Sequence, residues 1–106
     1  MFARLSIYEN VDVDAAEEFR QWLEHSAPAD PFRELPGYRG SMTLLDRENA
    51  RLVGIGFYAS DADARETEKL LPALLENARA QVPDAIRATL EQRPESVGLY
   101  DIVHRD

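Results

Sequence analysis

The stretch LPGYRGSMTLLDRENARLVGIGFYASD, Leu35 to Asp61, decides the fold. Pro36-Gly37 opens it as a turn, since proline presets the first turn position and glycine tolerates the second. Two apolar-rich runs follow, Tyr38–Asp46 and Arg51–Tyr58, with the polar loop Arg47-Glu48-Asn49-Ala50 between them. Ser60-Asp61 then starts a helix. The stretch reads as a β-hairpin that delivers the chain directly into an amphipathic helix.

Working outward, Phe2 to Tyr8 alternates, with Phe2, Arg4, Ser6 and Tyr8 on one side and Ala3, Leu5 and Ile7 on the other. That is a strand with one plainly apolar face. Asp12 or Asp14 caps the helix that follows, and Asp14 with Glu17 has capping-box spacing. Ala15, Ala16, Phe19, Trp22 and Leu23 form one apolar stripe, with Glu17, Glu18, Arg20, Gln21 and Glu24 on the opposite side. Pro28 and Pro31 end this helix, and Asp30-Pro31 begins a tight turn through PFREL. In the second hairpin strand Val53, Ile55 and Phe57 alternate with Leu52, Gly54, Gly56 and Tyr58. Glycines inside a strand mark a bulge or a close approach, by a packed element or by a ligand.

Beyond the hairpin, Ser60 caps a helix with Asp63 at its third position. Pro72 predicts a kink or restart near Leu70–Leu71, after which Leu71, Leu74, Leu75 and Ala78 form a stripe. Pro83 suits the first turn of another short helix with Ile86, Thr89 and Leu90 inward. A final strand over Ser96 to His104 sets Val97, Leu99 and Val103 against Gly98, Tyr100 and Ile102. The order β-α-β-β-α-(α)-β over residues 1–106 predicts a single α+β domain. It has a four-stranded antiparallel sheet in the ferredoxin-like βαββαβ arrangement. Helices cover one face of such a sheet, yet both faces of these strands carry apolar residues. The second face therefore needs cover, which predicts a homodimer through the sheet face.

Bulk composition narrows the partners. The chain has 12 Lys and Arg against 20 Asp and Glu, for a net charge of −8. That field repels phosphate backbones and anionic lipid headgroups, so neither nucleic acid nor a membrane is expected. The absence of cysteine excludes disulfides, thiolate metal sites and cysteine nucleophiles. MFARLSIYEN has no basic and long apolar region of a signal peptide, and no apolar run approaches the roughly 20 residues of a membrane span. A cytoplasmic location is the default expectation.

The βαββαβ order, the LPGYRG turn, the hairpin ending GIGFYASDADA and the terminal YDIV strand resemble the antibiotic-biosynthesis-monooxygenase-like proteins of the dimeric α+β barrel superfamily. The resemblance spans the chain except the helical material around Pro72–Leu90. It implies a dimer closed into an α+β barrel. It also places the chain among cofactor-independent oxygenases of aromatic polyketides, heme-degrading monooxygenases and small proteins without a known activity. Asn10, at the end of the first strand, matches the Asn of the heme-degrading branch. That branch also needs a Trp and a His on the helix after the hairpin, where this chain places Thr67 and Asn77. Heme degradation is therefore not expected. Tyr58 stands where the family usually has Trp.

Other chemistry finds little support in the sequence. His25 near a helix C-terminus is favoured there by the exposed carbonyls, and His104 sits near the end of the chain. No His-x-x-x-His or Glu-x-x-His spacing appears, and Ser6, Ser41 and Ser96 lack nucleophile-elbow context. What remains is a polar and aromatic set on the strands: Arg4, Tyr8, Arg39, Tyr58 and Tyr100, with Asn10 at a strand end. Such residues under a helix can line a cleft for an aromatic or quinone-like molecule. The same tyrosines can instead pack their rings and send their hydroxyls to water. Two functional expectations stand side by side. One is a cofactor-free monooxygenase acting on an aromatic or polycyclic molecule; the other is a non-enzymatic ligand-binding or accessory homodimer. No metal or organic cofactor is expected in either.

Overall fold

Strand pairing radiates from β1 and the hairpin. In the computed structural model, which describes residues 1–26, 31–80, 82, 84, 87 and 91–106, the chain begins with β1 (Phe2–Tyr8) and α1 (Val13–Ser26). A 3-10 turn (Pro31–Glu34), β2 (Tyr38–Asp46), β3 (Arg51–Tyr58), α2 (Asp61–Arg79) and β4 (Ser96–Asp101) follow. The strands form one antiparallel sheet in the order β2-β3-β1-β4. This is the ferredoxin-like α+β arrangement expected from the element order. The short helix expected after Pro83, with Ile86, Thr89 and Leu90, falls largely outside the described residues, as does Pro28.

Register assigns the faces. Phe2 pairs with Tyr58, Arg4 with Gly56, Ser6 with Gly54 and Tyr8 with Leu52, so these residues share one face. Leu5 pairs with Ile55 and Ile7 with Val53 on the other. A bulge between Tyr38 and Ser41, at a Gly40 with φ of 117°, resets β2. Beyond it Thr43 lies opposite Gly54, whereas Met42 and Leu44 lie opposite Ile55 and Val53. α2 covers the Tyr58 face: Leu35, Tyr58 and Ala64 form the buried cluster, with Phe2, Phe32, Tyr38, Leu74 and Leu99 packed against it. The polar side of β1 therefore lies under the helices, and its plainly apolar side is free of them.

Local signals in the sequence account for the joints. Tyr38 N–H donates to the Leu35 carbonyl at 3.2 Å across the Pro36-Gly37 turn, where Gly37 has φ of 65°. A β-carbon on Gly37 would collide with the Asp63 carboxylate. Asp12, not Asp14, caps α1: its Oδ1 accepts from Ala15 N–H at 3.1 Å. Ser60 Oγ accepts from Asp63 N–H at 3.2 Å and donates to Asp63 Oδ2 at 2.9 Å, capping α2.

Two expectations need correction. Of the kink or restart expected at Pro72, the restart does not occur: helix α2 runs unbroken from Asp61 to Arg79. Ala64 and Thr67 before the proline, and Leu74 after it, are held against the sheet face, so packing on both sides carries the helix across the missing N–H. Strand β4 ends at Asp101 rather than His104, because β1 begins at Phe2, its partner there. Beyond that pair Ile102 N–H still reaches the Met1 carbonyl at 2.9 Å.

Candidate functional site

α2 is seated on the sheet, whereas α1 makes few close approaches to it among the described residues. Between α1 and the β2–β3 hairpin lies a depression of about 290 Å³. Ala16, Leu45, Leu52 and Thr43 line it, and Glu17, Arg20 and Arg47 stand around them. The sequence folds this way locally because β3 carries Gly54, where a β-carbon would meet nothing within 4 Å. The row Ser6–Gly54–Thr43 across three strands thus offers small side chains and open space on the helix-covered face. Gly56 differs: there the ring of Tyr58 lies within 3.0 Å of where a β-carbon would sit, so the missing side chain accommodates a neighbour's ring.

A charged bridge spans the depression. Glu17 accepts from Arg20 Nη2 at 2.5 Å and from Arg47 Nη2 at 2.9 Å, tying α1 to the hairpin loop. Hydrogen bonds from Arg20, then from Arg47, hold the Glu17 carboxyl below its usual range.

Next to the open row stands a polar cluster. Arg4 donates through Nε to Glu68 on α2, and through Nη1 to Ser6 Oγ at 2.6 Å. Ser6 is 4% exposed, and Tyr8 follows it on the same face of β1. Burial raises the Tyr8 pKa above 10.0, opposed by the charge of Arg4 and by the Ser6 hydrogen bond. The Tyr8 hydroxyl therefore stays protonated through the neutral range. Tyr58 is 4% exposed and is likewise raised by burial, opposed by its hydrogen bond with Thr67 on α2. Its ring meets Tyr38 edge-on, with centroids 6.1 Å apart.

Of the six residues singled out from the sequence, the structure brings Arg4, Tyr8 and Tyr58 onto one face under the helices. It does not bring the other three to them. Tyr100 pairs with Ala3 on the helix-free face, with its ring folded over Gly98. Arg39 is exposed at the β2 bulge and donates to the Tyr38 carbonyl at 3.3 Å. Asn10 is exposed in the loop after β1 with φ of 54°, next to Val11, whose N–H reaches the Ala50 carbonyl at 2.9 Å. A single small ligand under the helices cannot touch Tyr100 through the sheet.

Sequence reasoning missed Ser6, Thr67 and Glu68 as partners of this cluster. Ser6 was visible as a small polar residue in the less apolar row of β1. Thr67 and Glu68 carried no signal, since a hydroxyl inside a helix declares its burial only once the helix is docked. His25 donates from Nδ1 to the Gln21 carbonyl at 2.8 Å in the last turn of α1, which satisfies that carbonyl. Among the described residues no group of His, Asp or Glu converges as a metal site, and no helix is long and apolar enough to cross a membrane.

Comparison of the backbone with solved structures places this arrangement. An antibiotic biosynthesis monooxygenase, so named, from Deinococcus radiodurans superposes with a TM-score of 0.58 at 16% identity, over 100% of this chain and 96% of that one. The chain has the fold of the antibiotic-biosynthesis-monooxygenase-like proteins. A dimeric ferredoxin-like protein from an uncultured marine organism gives a TM-score of 0.57 at 12% identity, over 93% of this chain and 83% of that one. SnoaB, a cofactor-independent oxygenase from Streptomyces nogalater, solved as a point mutant, gives 0.55 at 17% identity, over 98% and 92%. Identities at this level speak for the fold alone. No protein-family model matches the sequence, and no curated protein matches it either.

Proposed function

We propose that this protein is a cofactor-independent monooxygenase-like enzyme that binds an aromatic or polycyclic small molecule in the cleft between α1 and the sheet. The reading rests chiefly on one observation: on the helix-covered face, Gly54 leaves open space beside Ser6 and Tyr8, where a close-packed core would have none. Arg4, Ser6 and Tyr8 place polar groups on the same face, and Leu45 and Leu52 supply apolar wall. Ring-shaped ligands need that combination. In the chemistry that suits such a site, an activated carbon of the substrate loses a proton and the carbanion passes an electron to dioxygen. The two radicals then join as a peroxide anion, which takes a proton back and loses water to leave a carbonyl. The protein's share is to exclude bulk water and hold the developing oxyanion with hydrogen-bond donors.

The assembly belongs to the same reading. The helix-free face presents Ile7, Met42, Leu44, Val53, Ile55 and Phe57, with Met42 and Leu44 half exposed. We read it as the face on which a second copy packs, closing an α+β barrel. The alternative, a non-enzymatic accessory homodimer, draws its support from the same face and from how tightly Tyr58 is packed.

Oxygen consumption with anthrone, whose methylene is acidic and oxidises to a carbonyl, separates the two. Turnover by the wild-type protein that falls in Tyr8→Phe, with an unchanged melting temperature, supports the enzyme. Binding of anthrone without oxygen uptake leaves the accessory reading.

A further inference from the structure

A second depression, of about 330 Å³, lies at the C-terminal end of α2 and is lined by Glu76, Arg79, Ala80 and Arg87. It shares no lining residue with the cleft under α1. An arginine in the last turn of a helix ordinarily bonds the open carbonyls there or an acid one turn back. Arg79, the last residue of α2, does neither, although Glu76 stands one turn before it. Its Nε–H is buried with no acceptor, and so is Nε–H of Arg87 on the same depression. Arg87 spends Nη2 on Asp84 at 2.9 Å, which leaves its Nε–H over. Among the described residues the one other buried side-chain atom without a hydrogen bond is Asp61 Oδ1, and Arg65 Nε stands 2.9 Å from it. The orphans with no counter-charge at hand are therefore two guanidinium donors, and both line one hollow.

Buried polar groups left unpaired are rare, and charged ones are the most costly. A guanidinium has no acceptor of its own, so whatever fills the hollow must supply one. Charge narrows the choice. Glu76 lines the hollow and Asp84 is paired with Arg87, so the four side chains carry no net charge. A dianion such as phosphate meets as much repulsion as attraction there, and the C-terminal carbonyls of α2 oppose it further. A single carboxylate matches the planar fork of Arg79 and adds only one negative charge. The hollow has the volume of roughly ten waters at about 30 Å³ each, which is room for a small organic acid. We propose that it binds the carboxylate group of such an acid, through the Nε–H edge of Arg79 and through Arg87 Nε–H. This site is separate from the cleft, and it stands whether or not the cleft binds a ligand.

Acetate is the probe, followed by the arginine Nε–H resonances of nitrogen-labelled protein, with chloride at equal ionic strength as the reference. The Arg79 and Arg87 resonances move together along one saturating curve under acetate and stay in place under chloride. Arg79→Lys keeps the charge but not the fork, and weakens acetate about tenfold. Arg87→Lys, outside α2, gives a loss of the same order, so the proposal remains testable if the first substitution frays the helix. Glu76→Gln removes the repelling carboxylate and lets inorganic phosphate bind as tightly as acetate does. Nε–H resonances that ignore acetate mean that water alone fills the hollow, and overturn the site. An equal response to chloride reduces it to charge screening. Both lysine variants binding acetate like the wild type would show that charge is read and not the fork, which contradicts the assignment of the orphan donors.

Discussion

An alanine methyl at Gly37 would overlap the carboxylate of Asp63, the residue that Ser60 needs to close the cap of α2. It would also force a side chain into the left-handed region, since φ there is 65°. Adding the backbone strain to the damaged cap, Gly37→Ala should destabilise the protein by about 2–4 kcal/mol, measurable by urea denaturation. A loss below about half a kcal/mol would mean that the turn simply shifts. Single residues with steric or capping roles of this kind were legible in the sequence: Pro36-Gly37, Ser60 and Asp63 are local signals. The polar cluster was legible only by halves. Arg4 and Tyr8 stood out as unusual on a strand, but Ser6 looked ordinary, and Glu68 is 64 residues away from Arg4. No local pattern encodes a pair so distant in sequence. The same limit explains Tyr100, which alternation within β4 alone cannot place on either face; the pairing with Ala3 does that.

Among the described residues the elements were read correctly in type and order, and the reading failed where tertiary contacts outvote a local rule. Pro72 is that case. It removes one backbone donor from the middle of α2, yet the helix continues from Asp61 to Arg79. Replacing it with alanine restores a hydrogen bond and removes the ring's clash with the preceding turn. Pro72→Ala is therefore expected to stabilise the fold by about 1–3 kcal/mol, with the melting temperature as readout. No gain, or a loss, would indicate that the proline fixes a bend the packing of Leu74 requires. α1 illustrates the converse. Its apolar stripe predicted a helix held to the sheet, but the glycine in β3 and the short side chains of Ser6 and Thr43 leave a gap beneath it. The glycines were noticed as a mark of close approach or of ligand. Only the register, which sets Gly56 under the Tyr58 ring and leaves Gly54 open, told the two apart.

At the scale of the molecule, one chain gives its sheet two unequal faces. The helix-covered face carries the polar cluster and the cleft; the other is apolar, with Met42 and Leu44 half exposed. Val53 and Ile55 lie on the latter, an assignment that register makes and strand alternation by itself does not. In the proposed dimer a carboxylate at Ile55 would sit between the apposed sheets with no partner, at a cost of several kcal/mol. Ile55→Asp should shift sedimentation from dimer to monomer; a stable dimer carrying this change would place the interface elsewhere. The central claim, however, concerns the covered face, and amide chemical-shift mapping during a titration with lawsone, a hydroxynaphthoquinone, tests it most directly. The account predicts perturbations gathered at Tyr8, Thr43, Leu52 and Gly54, around the cleft under α1. Perturbations confined to Met42, Leu44, Ile55 and Phe57 on the opposite face would contradict it.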